Sequence, residues 1–350
     1  MFSIRIVVAM ILLAVSFPAT AQQPRDLKIK AGSAWSHKPS GIKLPGSILG
    51  ADLRLGQYLT DQESDVSFRY WPSDESEEFS VYIYRLAGGS IPVWFDRAQY
   101  AITSRAAVYG QPTLTDDPLP FTLTGDIQRS GLIAAYRPTI RYTATVVAML
   151  AHGDWIVKLR YSSHKIPPEQ ARARALQALE ALGWPRRQAT AGTVVPIADC
   201  ATPLAKAGPA NVLPKNGPAL ILEASMISAA ADKSIKSTPS APVTWCRDRG
   251  RSTGDVYRPD GATDRYFLAL SDAGRGVHVA PRIALSPDTP AGWSVWLVML
   301  DDTLVYPALD RMPDPGNVMQ VIDRGQALAS VTTSGKDRRI TLASDALAGD

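Results

Sequence analysis

Histidine and cysteine are scarce in this chain, with four of the first and two of the second among 350 residues. His37, His152, His164 and His278 stand far apart and fit no His-Glu-x-x-His or comparable spacing, which argues against a metal centre built from neighbouring ligands. Each could serve as a lone general base. His152 is better read as a turn residue, His164 as a surface residue near Lys165, and His278 as a packed or surface strand residue. Long apolar runs are also lacking after residue 21, where none approaches the roughly 20 residues of a membrane-spanning helix. Neither sign of charge predominates, with 37 Lys and Arg against 33 Asp and Glu. The basic clusters at Arg186-Arg187, Arg247/Arg249/Arg251 and Lys336 to Arg339 are short and scattered, a pattern that does not make a nucleic-acid stripe.

The usual catalytic and cofactor signatures are missing as well. There is no Gly-x-Ser-x-Gly elbow. Ser-x-x-Lys occurs at Ser40/Lys43 and Ser162/Lys165, but the first lies in a Gly/Pro-rich stretch and the second ends a strand before two prolines. Neither opens a helix that would place Lys over Ser. Asp61, Glu63 and Asp65 begin like a calcium loop, yet Val66 and Pro72 replace its Gly and closing Glu. Asp272-Ala273-Gly274-Arg275-Gly276 lacks the elements of a phosphate or dinucleotide loop and reads as a turn. The acidic run Asp74, Glu75, Glu77 and Glu78 reads as a solvated loop. No cofactor or metal is expected, although a glycosidase carboxylate pair would leave no local motif.

What is present begins at the N-terminus. Arg5, an apolar stretch from Ile6 to Phe17 and the small-x-small Ala19-Thr20-Ala21 form an export signal spanning 1–21, with no Cys behind it to carry a lipid. The mature chain is therefore expected in the periplasm or outside the cell. In that oxidising setting, Cys200 and Cys246 are expected to form one structural disulfide. Closing a loop of that size would stabilise the fold by about 4 kcal/mol on the chain-entropy model.

The patterning predicts an α+β protein of two domains, each a mainly antiparallel sheet packed with helices. An extended leader covers 22–45, an N-terminal domain 46–187, an Ala/Pro/Gly-rich linker 188–218 and a C-terminal domain 219–350. In the first domain, Ser80 to Arg85 reads as a strand, and Ser90-Ile91-Pro92 opens a helix through Ile102. Tyr142 to Leu150 and Trp155 to Ser162 flank the turn Ala151 to Asp154. Trp155, Val157, Leu159 and Tyr161 alternate with Lys158, Arg160 and Ser162, as in a sheet with one buried face. A helix then runs from Pro168 through Leu182, with Gly183 as a left-handed cap. The second domain opens with a helix over Leu220 to Ala229. Strands follow at 243–246, 266–270, 277–280, 293–300, 304–306 and 339–342, and a helix covers 315–329. Tyr142 to Leu182 and Trp293 to Ala329 share a strand–turn–strand–helix order, better explained by coincidence than by duplication. Of eight tryptophans, Trp35 and Trp71 lie in polar surroundings suited to glycan contact, and the others read as core.

These features lead to a non-enzymatic accessory or binding module of the envelope, whose partner is a protein or an envelope component. The rival reading is a secreted hydrolase assembled from distant residues, with Ser162, Ser163, His164 and Lys165 as its nearest set of candidates.

Overall fold

The computed structural model describes residues 23–60, 62–124, 131–185, 194–204, 208–232, 243–249, 255–283, 291–335 and 337–347. The expected signal segment 1–21, Asp61, Arg186, Arg187, Arg251 and Lys336 lie outside them. The N-terminal segment supplies β1 (Arg25–Asp26), a ladder of β2 (Trp35–Ser36) with β3 (Lys43–Leu44), and β4 (Ser47–Ile48). A meander of β5 (Ala51–Tyr58), β6 (Asp65–Trp71) and β7 (Glu77–Arg85) follows. Helices α1 (Ile91–Thr103) and α2 (Ala106–Tyr109) lead to β8 (Thr113–Leu114) and β9 (Leu119–Phe121). A second meander, β10 (Gly131–Arg137), β11 (Ala144–His152) and β12 (Trp155–Ser163), ends in α3 (Pro168–Glu180). The two meanders join where β12 lies antiparallel to β7, giving the path β1-β5-β6-β7-β12-β11-β10-β8.

A second sheet is built from β13 (Ala198–Asp199), β14 (Trp245–Arg247), β15 (Val256–Pro259), β16 (Tyr266–Leu270), β17 (Arg275–Pro281), β18 (Trp293–Val298), β19 (Asp302–Leu309), β20 (Ala329–Thr332) and β21 (Ile340–Leu342). Helix α4 (Gly217–Ala230) precedes β14, and α5 (Pro315–Arg324) links β19 to β20. From β14 onward each strand pairs antiparallel with the next, and β13 alone adds in parallel. The chain is thus mainly β, with few helices laid on antiparallel sheets, a narrower helical share than the α+β expectation.

The layering follows from which faces are apolar. On one face of the first sheet, Val66, Phe68, Val81, Ile83, Val146, Ala148, Val157 and Leu159 pack under Ala171, Ala175, Ala178 and Leu179 of α3. The opposite face takes α1, whose Ile91, Val93, Trp94, Phe95, Ala98 and Ile102 span a broad arc because the helix is a middle layer. It touches β10 and β11 on one side and β16 on the other, so Trp94 shares a core with Tyr257, Phe267 and Ala269 of the second sheet. The second sheet packs α5 on its far face and α4 at its β19–β21 end. Cys200 and Cys246 are bonded as expected. Beside the bridge, the buried Arg258 donates to Thr202 and Ala262 carbonyls and lies 3.2 Å from a carboxylate oxygen of Asp248.

Several expectations need correction. The leader is anchored, with Ile42 and Leu44 fully buried against the first sheet. Gly183 is not a left-handed cap. Its backbone bridges Lys43, where a Cβ would come within 2.8 Å of the Lys43 side chain, so close approach selects glycine. Helix α5 stops at Arg324, well short of 329. Half the acidic run is strand, since Glu77 and Glu78 open β7 and pair with Arg174 and Arg69. Strands β5, β6, β10, β15 and β20 were not anticipated. β10, Gly-Leu-Ile-Ala-Ala-Tyr-Arg, is buried on both faces and so carries no alternation to read. Both hairpin–helix segments of the proposed echo form, as β11-β12-α3 and β18-β19-α5.

Phe267 lies at the contact of the two sheets, its ring 5.8 Å from that of Trp94 and 4.7 Å from that of His278. Phe267→Ala is expected to cost about 3–5 kcal/mol in chemical denaturation. Because the core is shared, far-UV circular dichroism and tryptophan fluorescence should report one coincident unfolding transition in the parent chain. Separated transitions would show that the sheets unfold independently.

Candidate functional site

The alternation read on β12 is correct, but its outward face is not solvated. Lys158 is 4% and Arg160 7% exposed, because the β16–β17 turn lands on them. Across the sheet, Arg160 faces Ser80 and Arg69, and Lys158 faces Tyr82 and Ser67. A face carrying two cations can be covered only if a counter-charge arrives with the cover. Asp272 supplies it. Its Oδ2 accepts from Lys158 Nζ at 2.9 Å and lies 3.7 Å from Arg160 Nη2, and its carbonyl accepts a second bond from Lys158. The Lys158 ammonium also sits 4.6 Å above the Tyr82 ring.

Burial works to raise the Asp272 carboxyl, but the charge and hydrogen bond of Lys158 hold it below the usual carboxylate range. Asp65, two strands over on β6, goes the other way. Its burial pushes the carboxyl up to about 6 despite Arg275, 4.0 Å away, and Lys158. Helix α1 adds two links. Asp96 accepts from Tyr257 Oη and pairs with Arg247, and Arg97 pairs with Asp255 and donates to the Ser271 carbonyl. The segment read as a turn is therefore the contact through which the second sheet engages the first. Gly274, at φ +76°, lets the turn press close, since a Cβ there would lie 2.9 Å from the Arg85 carbonyl.

At the edge of this seam opens a cleft of about 420 Å³ lined by both halves, including Glu63, Ser64, Arg85, Trp155, Asp301, Ser334 and Arg338. Arg85 closes one wall by donating to the Leu300 and Thr333 carbonyls, and Asp301 accepts from Ser334 Oγ at 2.7 Å. Glu63 lines the cleft, and its Oε2 is buried without a hydrogen-bond partner. Behind it lies His37, fully buried and packed edge-on against Trp155. His37 Nε2 donates to the Glu63 carbonyl at 2.7 Å, so Nδ1 is the acceptor and receives the Ser40 hydroxyl, also at 2.7 Å. Burial lowers the His37 pKa, keeping the ring neutral. No sequence motif marks this Ser40–His37 pair, three residues apart. Ser40 Oγ also accepts from the Ile42 amide, so the pair ties the leader's turn to the segment before β6.

The residues nominated for hydrolysis do not assemble. Ser162 Oγ bonds Thr145 Oγ1 on one face of β12, and Ser163 Oγ accepts from the Lys165 and Ile166 amides on the other. Lys165 Nζ lies 2.7 Å from Asp74, and the exposed His164 stacks on Tyr142. Lys43 bridges Gly183 through its backbone, and Asp65 faces Arg275 in place of a calcium loop. His152 meets Trp184, and His278 packs on Phe267. Trp35 packs on Phe68, and Trp71 lies beneath the Arg69 guanidinium, so the two form no open aromatic row. Among the described residues, no three His, Cys, Asp or Glu side chains converge as metal ligands, and no helix is long and apolar enough to cross a membrane.

No family model and no curated protein matches the chain. A crystal structure from Bacteroides thetaiotaomicron aligns at 10% identity with a TM-score of 0.20, too low to inform fold or function. That alignment covers 57% of this chain and 60% of the other.

Removing Asp272 would leave Lys158 and Arg160 buried without a carboxylate. Asp272→Ala is expected to lose about 3–5 kcal/mol in urea denaturation, and adding Lys158→Met should recover part of that loss. Purely additive losses would show that the pair is not coupled.

Two buried groups tilt stability with pH in opposite directions. His37 has a folded pKa below 6.5, so its contribution is complete above pH 6.5 and is lost as pH falls toward the lowered value. Asp65 is raised from 3.8 to about 6, so its penalty is absent below pH 4 and complete above about pH 6. Denaturation between pH 4 and 7 should show a shallower acid loss for His37→Gln. Asp65→Asn should gain stability relative to the parent at pH 7 but not at pH 4.

Proposed function

We propose that this chain is an exported, non-enzymatic binding module of the cell envelope, with the cleft at the seam between its two sheets as its ligand site. The observation that carries the reading is the cleft's construction. Both halves contribute walls, the Arg85 guanidinium fixes their spacing through bonds to the Leu300 and Thr333 carbonyls, and charged side chains of both signs line the cleft beside Trp155. Arg85 and Arg338 offer donors, and Glu63 and Asp301 offer acceptors. The ligand this fits is small and polar, with hydrogen-bonding groups of both kinds, as in a peptide loop or an envelope fragment. The disulfide between Cys200 and Cys246 supports export, because such bonds form in oxidising compartments. Ser162 and Ser163 lack a base positioned to activate them, which disfavours the hydrolase set built on them.

The test uses the tagged mature chain. Cross-linking in its native envelope should retain a stoichiometric partner, and peptidoglycan fragments are screened in parallel by tryptophan fluorescence. A paired Glu63→Gln and Arg338→Ala substitution should weaken whichever interaction is found at least tenfold, about 1.4 kcal/mol. The remote surface change Arg54→Ala should leave it unchanged. Equal binding by the cleft variant would place the ligand elsewhere.

A further inference from the structure

We propose that Arg160, with Lys158 and the Tyr84 hydroxyl, forms a buried site for a small oxyanion, the carboxylate or phosphate group of a ligand. This site lies under the β16–β17 turn and is independent of the cleft. Arg160 has only 8% of its side chain exposed, yet Nε and Nη2 are sealed from solvent with no hydrogen-bond partner. The nearest carboxylate oxygen, Asp272 Oδ2, is 3.7 Å from Nη2, beyond hydrogen-bond range.

The two orphaned nitrogens share one edge of the guanidinium, where their N–H bonds run parallel. That edge grips a two-oxygen acceptor bidentately. The same protein shows the use elsewhere. Arg69 holds Glu78 by Nε at 2.8 Å and Nη2 at 2.9 Å, and Arg174 holds Glu77 through the same two nitrogens. On Arg160 the edge is turned inward and left without an acceptor.

A third orphan belongs to the same cluster. Tyr84 Oη is buried without a partner, and its ring lies 5.4 Å from the Lys158 ammonium, on the strand beside β12. Burial raises its pKa well above the ordinary value, so it keeps its proton and can donate. The local charge points the same way. Lys158, Arg160 and Arg275 face Asp272 and Asp65, and burial opposes ionisation of Asp65. The cluster is short of negative charge and has three unused donors. An oxyanion supplies what both deficits require, whereas water supplies acceptors without charge.

Inorganic phosphate and acetate serve as probes of the two ligand classes, with chloride as reference at constant ionic strength. Isothermal titration and thermal unfolding of the full mature chain should show saturable binding and a raised Tm with at least one oxyanion. Which probe binds tighter identifies the class. Arg160→Lys keeps the charge but lacks the parallel edge, and it should lose at least tenfold in affinity. Should that variant fail to fold, Tyr84→Phe decides the matter, because it removes one donor without changing charge. It should weaken the anion several-fold while raising the Tm in chloride alone. The proposal is overturned if neither oxyanion differs from chloride, or if Arg160→Lys or Tyr84→Phe binds as tightly as the parent.

Discussion

The pairing of Asp272 with Lys158 and Arg160 is the constraint on which the arrangement of the two sheets depends. The first sheet presents an apolar face to α3 and, on its other side, a central stripe of Lys, Arg, Ser and Tyr. Covering that stripe with apolar surface would strand two cations. The β16–β17 turn brings a carboxylate to the stripe, and the Asp96-Arg97 pair of α1 fastens the flanking strands. Once the turn is seated, Phe267 and Trp94 complete a core belonging to both sheets.

That docking also shapes the molecule's concave surface. The cleft exists because Arg85, at the end of β7, reaches across to the Leu300 and Thr333 carbonyls instead of turning to solvent. Glu63 and His37 extend the polar boundary inward, so the leader, the first sheet and the second sheet meet at one place. The two walls of the cleft are thereby held at a fixed spacing by the Arg85 guanidinium. The buried Arg160 edge belongs to a different layer. There, covering the charged stripe left donors of Arg160 unused.

Much of the local structure was legible. Helices α1, α3 and α4 and strands β11, β12, β16, β17 and β18 followed from periodicity, proline placement and β-branched content, because those signals arise within a dozen residues. β10 was missed because a strand buried on both faces does not alternate. The role of Gly183 has no local signal, because the neighbour that forces glycine, Lys43, lies 140 positions away along the chain.

The sequence by itself determined which residues share a face, where chain direction reverses and that two cysteines would find each other. The alternation on β12 put Lys158 and Arg160 opposite Val157 and Leu159, and that much needed no structure. Whether the polar side met water or protein was decided by the tertiary structure alone. The answer depended on a turn 114 residues downstream of Lys158, and burial is a property of what arrives from elsewhere in the chain. The same holds for the candidate sites. Glu63, Arg85 and Arg338 form a cleft, and Tyr84 meets Lys158, because distant segments converge, and convergence leaves no local pattern in a single sequence.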